Sequence, residues 1–242
     1  MIDKYSISQI LLIQINHLKL QNSYMKSFLY SYSFLFACLL LTCVSTTSVN
    51  GQVMENKNFK AGIKAYEANN LKLAYEKFLA GANEGDVSSQ YNLAIMYENG
   101  IGIKKNDKYA FFWYNKAALQ GNAAAQFNLG VLHENGRGTK VDFAQANKWY
   151  RKAAAQGDGL AVGNLGMLYI RGDGVKVNKT AGVALLLLSI QIDQSPENTA
   201  KQMITSTTGL SQKMITDAQA LSDKMFKAGK NMLVPLDQFL KK

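Results

Sequence analysis

The feature that most constrains this chain is a 36-residue internal repeat. NLAIMYENGIG (92–102), NLGVLHENGRG (128–138) and NLGMLYIRGDG (164–174) follow one another at that spacing. YNKAALQGN (114–122) recurs one period later as YRKAAAQGD (150–158). A period of this length is typical of a solenoid of stacked units, so it predicts the architecture before any single motif is interpreted.

Each unit is predicted to contain two helices. In the first full unit, helix A is expected over 87–99 and helix B over 107–120, from apolar residues at helical spacing. Asn106 and Asp142 stand where a side-chain oxygen would cap helix B. Glycines at equivalent positions are expected to end the helices: Gly100, Gly136 and Gly172 after helix A, and Gly121 and Gly157 after helix B.

The glycine loop indicates a structural joint rather than a nucleotide site. Its G-x-G follows no strand and has no third glycine in register, and GRGTK (136–140) lacks the first half of a P-loop. His133 occupies the position that Tyr97 and Tyr169 fill in the neighbouring repeats. A large flat side chain is therefore what the position requires, and a single histidine offers too few ligands for a metal. No catalytic residue, metal or cofactor is predicted.

These motifs resemble the Sel-one-like subfamily of tetratricopeptide-like repeats. The resemblance rests on A-x-x-x-L-G-x-x-Y in helix A, the G-x-G loop and W-Y-x-K-A-A-x-x-G in helix B, and 123–158 fits it best. In the next copy Leu185 and Leu186 replace the tryptophan and tyrosine. The resemblance implies an all-α, right-handed solenoid of stacked helix pairs with a C-terminal capping helix, for which 209–229 is the candidate.

The expected organisation has seven segments. They are an over-extended start (1–24), a signal peptide (25–51), an N-terminal tetratricopeptide-like helix pair (52–86), two full repeats (87–122 and 123–158), a degenerate third repeat (159–195) and C-terminal capping helices (196–242).

The N-terminal region has the layout of a secretory signal. A lysine precedes an apolar run in MKSFLYSYSFLFACLLLTCV (25–44), and small polar residues follow, with cleavage expected before Gln52. Both cysteines, Cys38 and Cys43, lie inside this run. We expect an exported bacterial protein, periplasmic or secreted. The alternatives are an uncleaved anchor over 28–44 or lipidation at Cys43, and membrane contact is expected only through this segment.

The net charge is +10, and 24 basic and 16 acidic residues remain after residue 51. This indicates either a solvated lysine-rich surface or attraction to an acidic partner. No arginine cluster or RNA-binding motif appears, so nucleic acid is not an expected partner. A monomer is expected.

The family resemblance places binding residues on the concave surface, at fixed helix A positions. In this sequence the positions are Ser88, Tyr91, Ile95, Glu98, Asn99, Phe127, Val131, Glu134, Asn135, Met167 and Arg171. Because the repeat core does not require Tyr91, Ile95, Phe127 and Val131, they are expected to form an exposed apolar strip that marks a partner site. The alternative is that the C-terminal helices fold back and cover these residues. Glu98 and Glu134 are interpreted as polar helix ends, since Ile170 is their counterpart.

The predicted function is a non-enzymatic scaffold that binds a peptide or protein segment in the concave groove, as a signalling, assembly or host-interaction adaptor. The alternative is a protein that binds or modifies cell-wall peptidoglycan or other glycans. Against an enzyme, residues after 51 contain one histidine, no cysteine and no Ser–His–Asp arrangement.

Overall fold

The computed structural model describes residues 56–241, which form eleven α-helices and one 3₁₀ turn without a β-strand. The predicted start and signal segments, 1–24 and 25–51, lie outside these residues. The helices are α1 (Lys57–Glu67), α2 (Leu71–Asn83), α3 (Val87–Asn99), α4 (Asp107–Leu119), α5 (Ala123–Asn135), α6 (Phe143–Ala154), α7 (Gly159–Arg171), α8 (Lys179–Ile192), α9 (Ala200–Ser206), α10 (Gln212–Lys227) and α11 (Leu233–Leu240), with the 3₁₀ turn at Gly229–Asn231.

The helices stack in chain order. Consecutive helices pack against each other from α1 to α9, and α3–α4, α5–α6 and α7–α8 form three successive pairs. The all-α solenoid of stacked helix pairs is confirmed. Its order follows from the repeat, because one helix pair cannot bury its apolar face alone and stacking on the next pair supplies the core.

Local capping fixes the helix ends at the predicted places. The side chains of Asn106 and Asp142 accept hydrogen bonds from backbone N–H groups in the first turns of α4 and α6. Gly100, Gly136 and Gly172 end α3, α5 and α7 in the left-handed conformation, with φ of 70°, 66° and 83°. Both predictions are confirmed, and both depend on residues within one turn of the helix end.

The second loop glycine allows direct contact between repeats. At Gly138, where φ is +71°, an added Cβ would lie 2.1 Å from the carbonyl oxygen of Asp107, at the start of α4 in the preceding repeat. Gly174 meets the backbone of Phe143 in the same way, at 2.6 Å. Each loop is thus seated on the first turn of the preceding helix B. Sequence analysis identified this loop as a structural joint without predicting its contact with the preceding repeat.

The core is built from small residues that bring helices close and aromatic residues that fill the wider gaps. Ala117, Ala118, Ala153 and Ala154 are buried, as are the rings of Trp113, Tyr114, Trp149 and Tyr150. In the third repeat Leu185 and Leu186 take the aromatic positions. An added Cβ on Gly166 would lie 2.8 Å from the carbonyl oxygen of Gly182, so α7 and α8 approach more closely where the side chains are smaller.

A ladder of glutamines joins the helix ends of the first two repeats. Gln120 Nε2 donates to Gly85 O (3.2 Å) and to Gln90 Oε1 (2.8 Å). One period later Gln156 Nε2 donates to Gly121 O (3.0 Å) and to Gln126 Oε1 (2.8 Å). The ladder ends in the third repeat, where Val162 and Ile192 stand at the corresponding positions.

The C-terminal helices close the stack on α8. α9, α10 and α11 all pack against α8, and Ala218, Leu221 and Met225 of α10 are buried there. α10 lies within the predicted capping segment 209–229. α9 and α10 contact mainly α8, and α11 contacts α10 and α8, while Asp237 of α11 also pairs with Arg151 of α6.

None of the helices between residues 56 and 241 is long and apolar enough to cross a membrane.

Candidate functional site

The predicted binding residues lie on the first helix of each repeat, and we call this surface the helix-A face. It comprises Ser88, Tyr91, Ile95, Glu98 and Asn99 on α3, Phe127, Val131, Glu134 and Asn135 on α5, and Met167 and Arg171 on α7. Only Asn99, Asn135 and Arg171 are exposed, and the other eight are half-buried. The expectation of an exposed apolar strip is therefore wrong for Tyr91, Ile95, Phe127 and Val131.

The two aromatic rings of this strip pack on the repeat core. The Tyr91 ring lies 5.8 Å from that of Tyr114, and the Phe127 ring lies 6.0 Å from that of Tyr150. Burial raises the pKa of the Tyr91 hydroxyl to about 12, although a hydrogen bond with Asn128 acts in the opposite direction and lowers it. Each ring thus covers a core tyrosine and offers only part of its surface to solvent, so we expect both rings to contribute to the stability of the repeat.

The same two core tyrosines hold the carboxylates of the helix-A face. Tyr114 Oη donates to Glu98 Oε2 at 2.6 Å, and Tyr150 Oη donates to Glu134 Oε2 at 2.7 Å. Burial and the adjacent carboxylate both raise the pKa of each tyrosine, so both hydroxyls stay protonated. Sequence analysis did not find this pairing. The signal was the sixteen-residue Glu-to-Tyr spacing that recurs in both repeats.

Each carboxylate also accepts an arginine from further along the chain. Arg137 binds Glu98 Oε1 at 2.8 Å and Asp107 Oδ1 at 3.0 Å, and these partners raise its pKa. Arg171 reaches Glu134 Oε1 at 3.5 Å. Glu98 and Glu134 are therefore tied into contacts between repeats, beyond the polar helix ends that sequence analysis assigned.

The exposed edge of the face is formed by an amide at the same position of two helices. Asn99 Nδ2 donates to Ile95 O (3.2 Å) and Asn135 Nδ2 donates to Val131 O (2.9 Å), four residues back in each helix. These bonds hold the side chains against the helix while leaving the amide oxygens as acceptors.

His133 belongs to the core rather than to this face. Its ring lies edge-on to Phe111 at 5.2 Å, and burial lowers its pKa. The equivalent Tyr97 instead packs on Tyr75, with the hydroxyl oxygens 3.0 Å apart. Within the described residues no group of three or more His, Cys, Asp or Glu side chains is placed to hold a metal ion.

The fold and its register define a helical repeat protein of the tetratricopeptide-like class. Three successive segments match the family model of the Sel1 repeat, at 87–122, 123–158 and 160–191. These three segments are therefore Sel1-like repeats (SLR), a subfamily of that class whose members are generally non-enzymatic scaffolds for protein–protein interaction.

Two of the solved structures that are similar to this chain show the same kind of repeat. A Sel1 repeat protein from Oxalobacter formigenes is 29% identical over 69% of this chain and 73% of its own, with a TM-score of 0.55. A protective antigen present in uropathogenic Escherichia coli strains, displaying an SLR fold, is 27% identical over 76% of this chain and 47% of its own, with a TM-score of 0.48. No curated protein matches this chain in sequence.

Proposed function

We propose that this protein is a non-enzymatic scaffold that binds an extended peptide or protein segment along the helix-A face. The observation that carries the proposal is the register of that face. Ile95, Val131 and Met167 repeat one half-buried apolar position on three consecutive helices. An extended segment crossing the stack would meet equivalent contacts at each repeat.

The polar edge of the face suits a peptide backbone. Asn99 and Asn135 are held against their own helices through Nδ2, so each amide oxygen can accept a hydrogen bond from a backbone N–H of the partner. Because these bonds fix the side chains before binding, less conformational entropy is lost on association.

The charge of the face favours an uncharged segment. Glu98 is neutralised by Arg137, and Glu134 lies near Arg171, so neither carboxylate is left as an isolated charge for a basic partner. Binding is expected to depend on apolar burial beside Val131 and Met167 and on the asparagine acceptors.

Site-specific photocrosslinking tests this proposal. A photoreactive residue at Asn99 or Asn135 should crosslink one and the same protein from envelope extract. The matched controls are Leu119 and Ala155, which are exposed near the ends of α4 and α6 and are also one period apart. Substituting Val131→Arg should abolish the product in the Asn135 background. Products formed equally from Leu119 and Ala155, or unaffected by Val131→Arg, would overturn the proposal.

Two further parts of the proposal concern chemistry and location. We propose that the protein has no catalytic role, and a turnover screen on cell-wall substrates, run beside the crosslinking, tests the cell-wall alternative.

We also propose export to the periplasm or medium with cleavage before Gln52, supported by the layout of 25–51. An intact mass that retains residues 25–51 would refute cleavage.

A further inference from the structure

A second surface, distinct from the helix-A face, carries a row of exposed lysines, most of them without an ion-pair partner among residues 56–241. Lys104, Lys140 and Lys176 stand exactly one 36-residue period apart, each two residues before the residue that caps helix B. All three are exposed, and so are Lys105 and Lys108 beside the first of them. We call these five residues the lysine rim.

The rim is continuous because each loop is seated on the start of the preceding helix B. An added Cβ on Gly138 would lie 2.1 Å from Asp107 O, and one on Gly174 would lie 2.6 Å from the backbone of Phe143. Equivalent rim positions lie at the starts of B helices in successive repeats, so they are at least one helix-packing distance apart, roughly 8–10 Å. Three equivalent lysines form a row along one edge of the solenoid.

The acidic residues of the same loops neutralise little of this charge. Asp107 is bound by Arg137 at 3.0 Å and lies 3.9 Å from Lys105. Asp142 accepts the backbone N–H of Gln145 at 2.9 Å, and Asp173 is the remaining carboxylate of the three loops. Within residues 56–241, Lys104, Lys108, Lys140 and Lys176 have no ion-pair partner.

A cleft lies between the first two loops of the rim. It has a volume of about 680 Å³, and Lys105, Lys108, Lys140, Thr139 and the acidic Asp107 are among its lining residues. Three lysines against one aspartate leave the lining of the cleft with a net positive charge that attracts an anionic group, and the adjacent lysines extend that field along the row.

We propose that the lysine rim binds an acidic polysaccharide, a linear polymer that carries one carboxylate or sulfate per sugar or pair of sugars. The spacing of the lysines favours this class. A nucleic-acid strand carries one charge about every 3.4 Å, which is far denser than one lysine per repeat. A nucleic-acid strand also stacks its bases on aromatic rings. Tyr109 could supply such a ring in the first repeat, but Gln145 and Ala181 occupy the same position in the following repeats, so the row has no ring at each step.

The test uses the purified full chain and a polygalacturonate oligomer as the probe, with neutral dextran as the matched uncharged polymer. Isothermal titration at low salt should detect polygalacturonate and not dextran, with binding that weakens steeply as salt rises. The triple variant Lys104→Gln, Lys140→Gln and Lys176→Gln should bind about tenfold more weakly, the combined effect of three exposed ion pairs.

The control variant removes the same charge elsewhere, through Lys64→Gln, Lys148→Gln and Lys227→Gln at exposed positions outside the rim. It should bind within about twofold of the unmodified protein. Equal weakening by both triple variants would overturn the proposal, because net charge alone would then explain binding. Tighter binding to single-stranded DNA, or to vesicles containing phosphatidylglycerol, would also overturn it by identifying a nucleic-acid or membrane partner.

Circular dichroism melting should be unchanged in both variants because all six lysines are exposed. Crosslinking at Asn99 and Asn135 tests only the helix-A face, and binding of polygalacturonate tests only the lysine rim. Either proposal can therefore fail while the other holds.

Discussion

Because each loop is seated on the preceding repeat, we predict that two glycine-to-alanine substitutions differ strongly in their effect on stability. Gly138 and Gly121 both have positive φ, +71° and +94°. A Cβ on Gly138 would lie 2.1 Å from Asp107 O, whereas one on Gly121 would meet no heavy atom within 4 Å. Gly121→Ala thus measures the conformational cost alone, and Gly138→Ala measures that cost together with displacement of the loop.

The magnitudes follow from these contacts. An L-residue in the left-handed conformation costs about 1–2 kcal/mol, and the lower entropy of the unfolded alanine chain offsets about 0.4–1 kcal/mol. Gly121→Ala should therefore lose about 1 kcal/mol. In Gly138→Ala the loop must also move away from α4, which breaks the bonds of Arg137 to Glu98 and Asp107. Since the Arg137 side chain is 31% exposed, we expect about 2–3 kcal/mol beyond Gly121→Ala.

Thermal unfolding by far-UV circular dichroism measures the difference. At about 2–4 °C per kcal/mol for a domain of this size, Gly138→Ala should melt roughly 5–10 °C below Gly121→Ala. Melting temperatures within about 2 °C of each other would show that contact between the loop and α4 does not stabilise the stack.

Three further predictions concern the core, pH and the repeat register. Tyr91→Ala and Phe127→Ala should each lose about 2–3 kcal/mol in denaturant unfolding, because both rings cover core tyrosines; a loss below about 0.5 kcal/mol would restore the surface interpretation. Burial lowers the pKa of His133 below 6.5, so the stability gained from its neutral form is complete above pH 6.5 and declines as pH falls toward the folded pKa; His133→Tyr should remove this component of the melting profile. Deleting 87–122 should leave a cooperative, shorter solenoid, whereas deleting thirty residues from the same start should not, and equal helicity and cooperativity would contradict the register.

The sequence by itself determined the helix pairs, their order and their ends. Asn106 as a cap and Gly136 as a left-handed terminator act within one turn of the backbone, so their conformations follow from local chemistry. The 36-residue period then predicted stacking, because identical units carry identical apolar faces.

Only the tertiary structure decided which side chains of those helices remain accessible. Tyr91 and Phe127 share one helical position, and the pattern of α3 and α5 alone left them free. Their burial depends on Tyr114 and Tyr150, whose rings come from the second helix of each pair. The burial of one helix face by another depends on the angle and distance at which the two helices pack. Neither quantity can be derived from the apolar pattern of one helix alone.

The partners of Glu98 had the same origin. Arg137 lies 39 residues away and belongs to a loop that Gly138 brings onto the start of α4. Asp237 and Arg151, 86 residues apart, meet only because α10 and α11 fold back on α8. A long-range ion pair needs two separately formed elements in one place, so the sequence determined the repeating units and the packing between units determined the contacts of their charged groups.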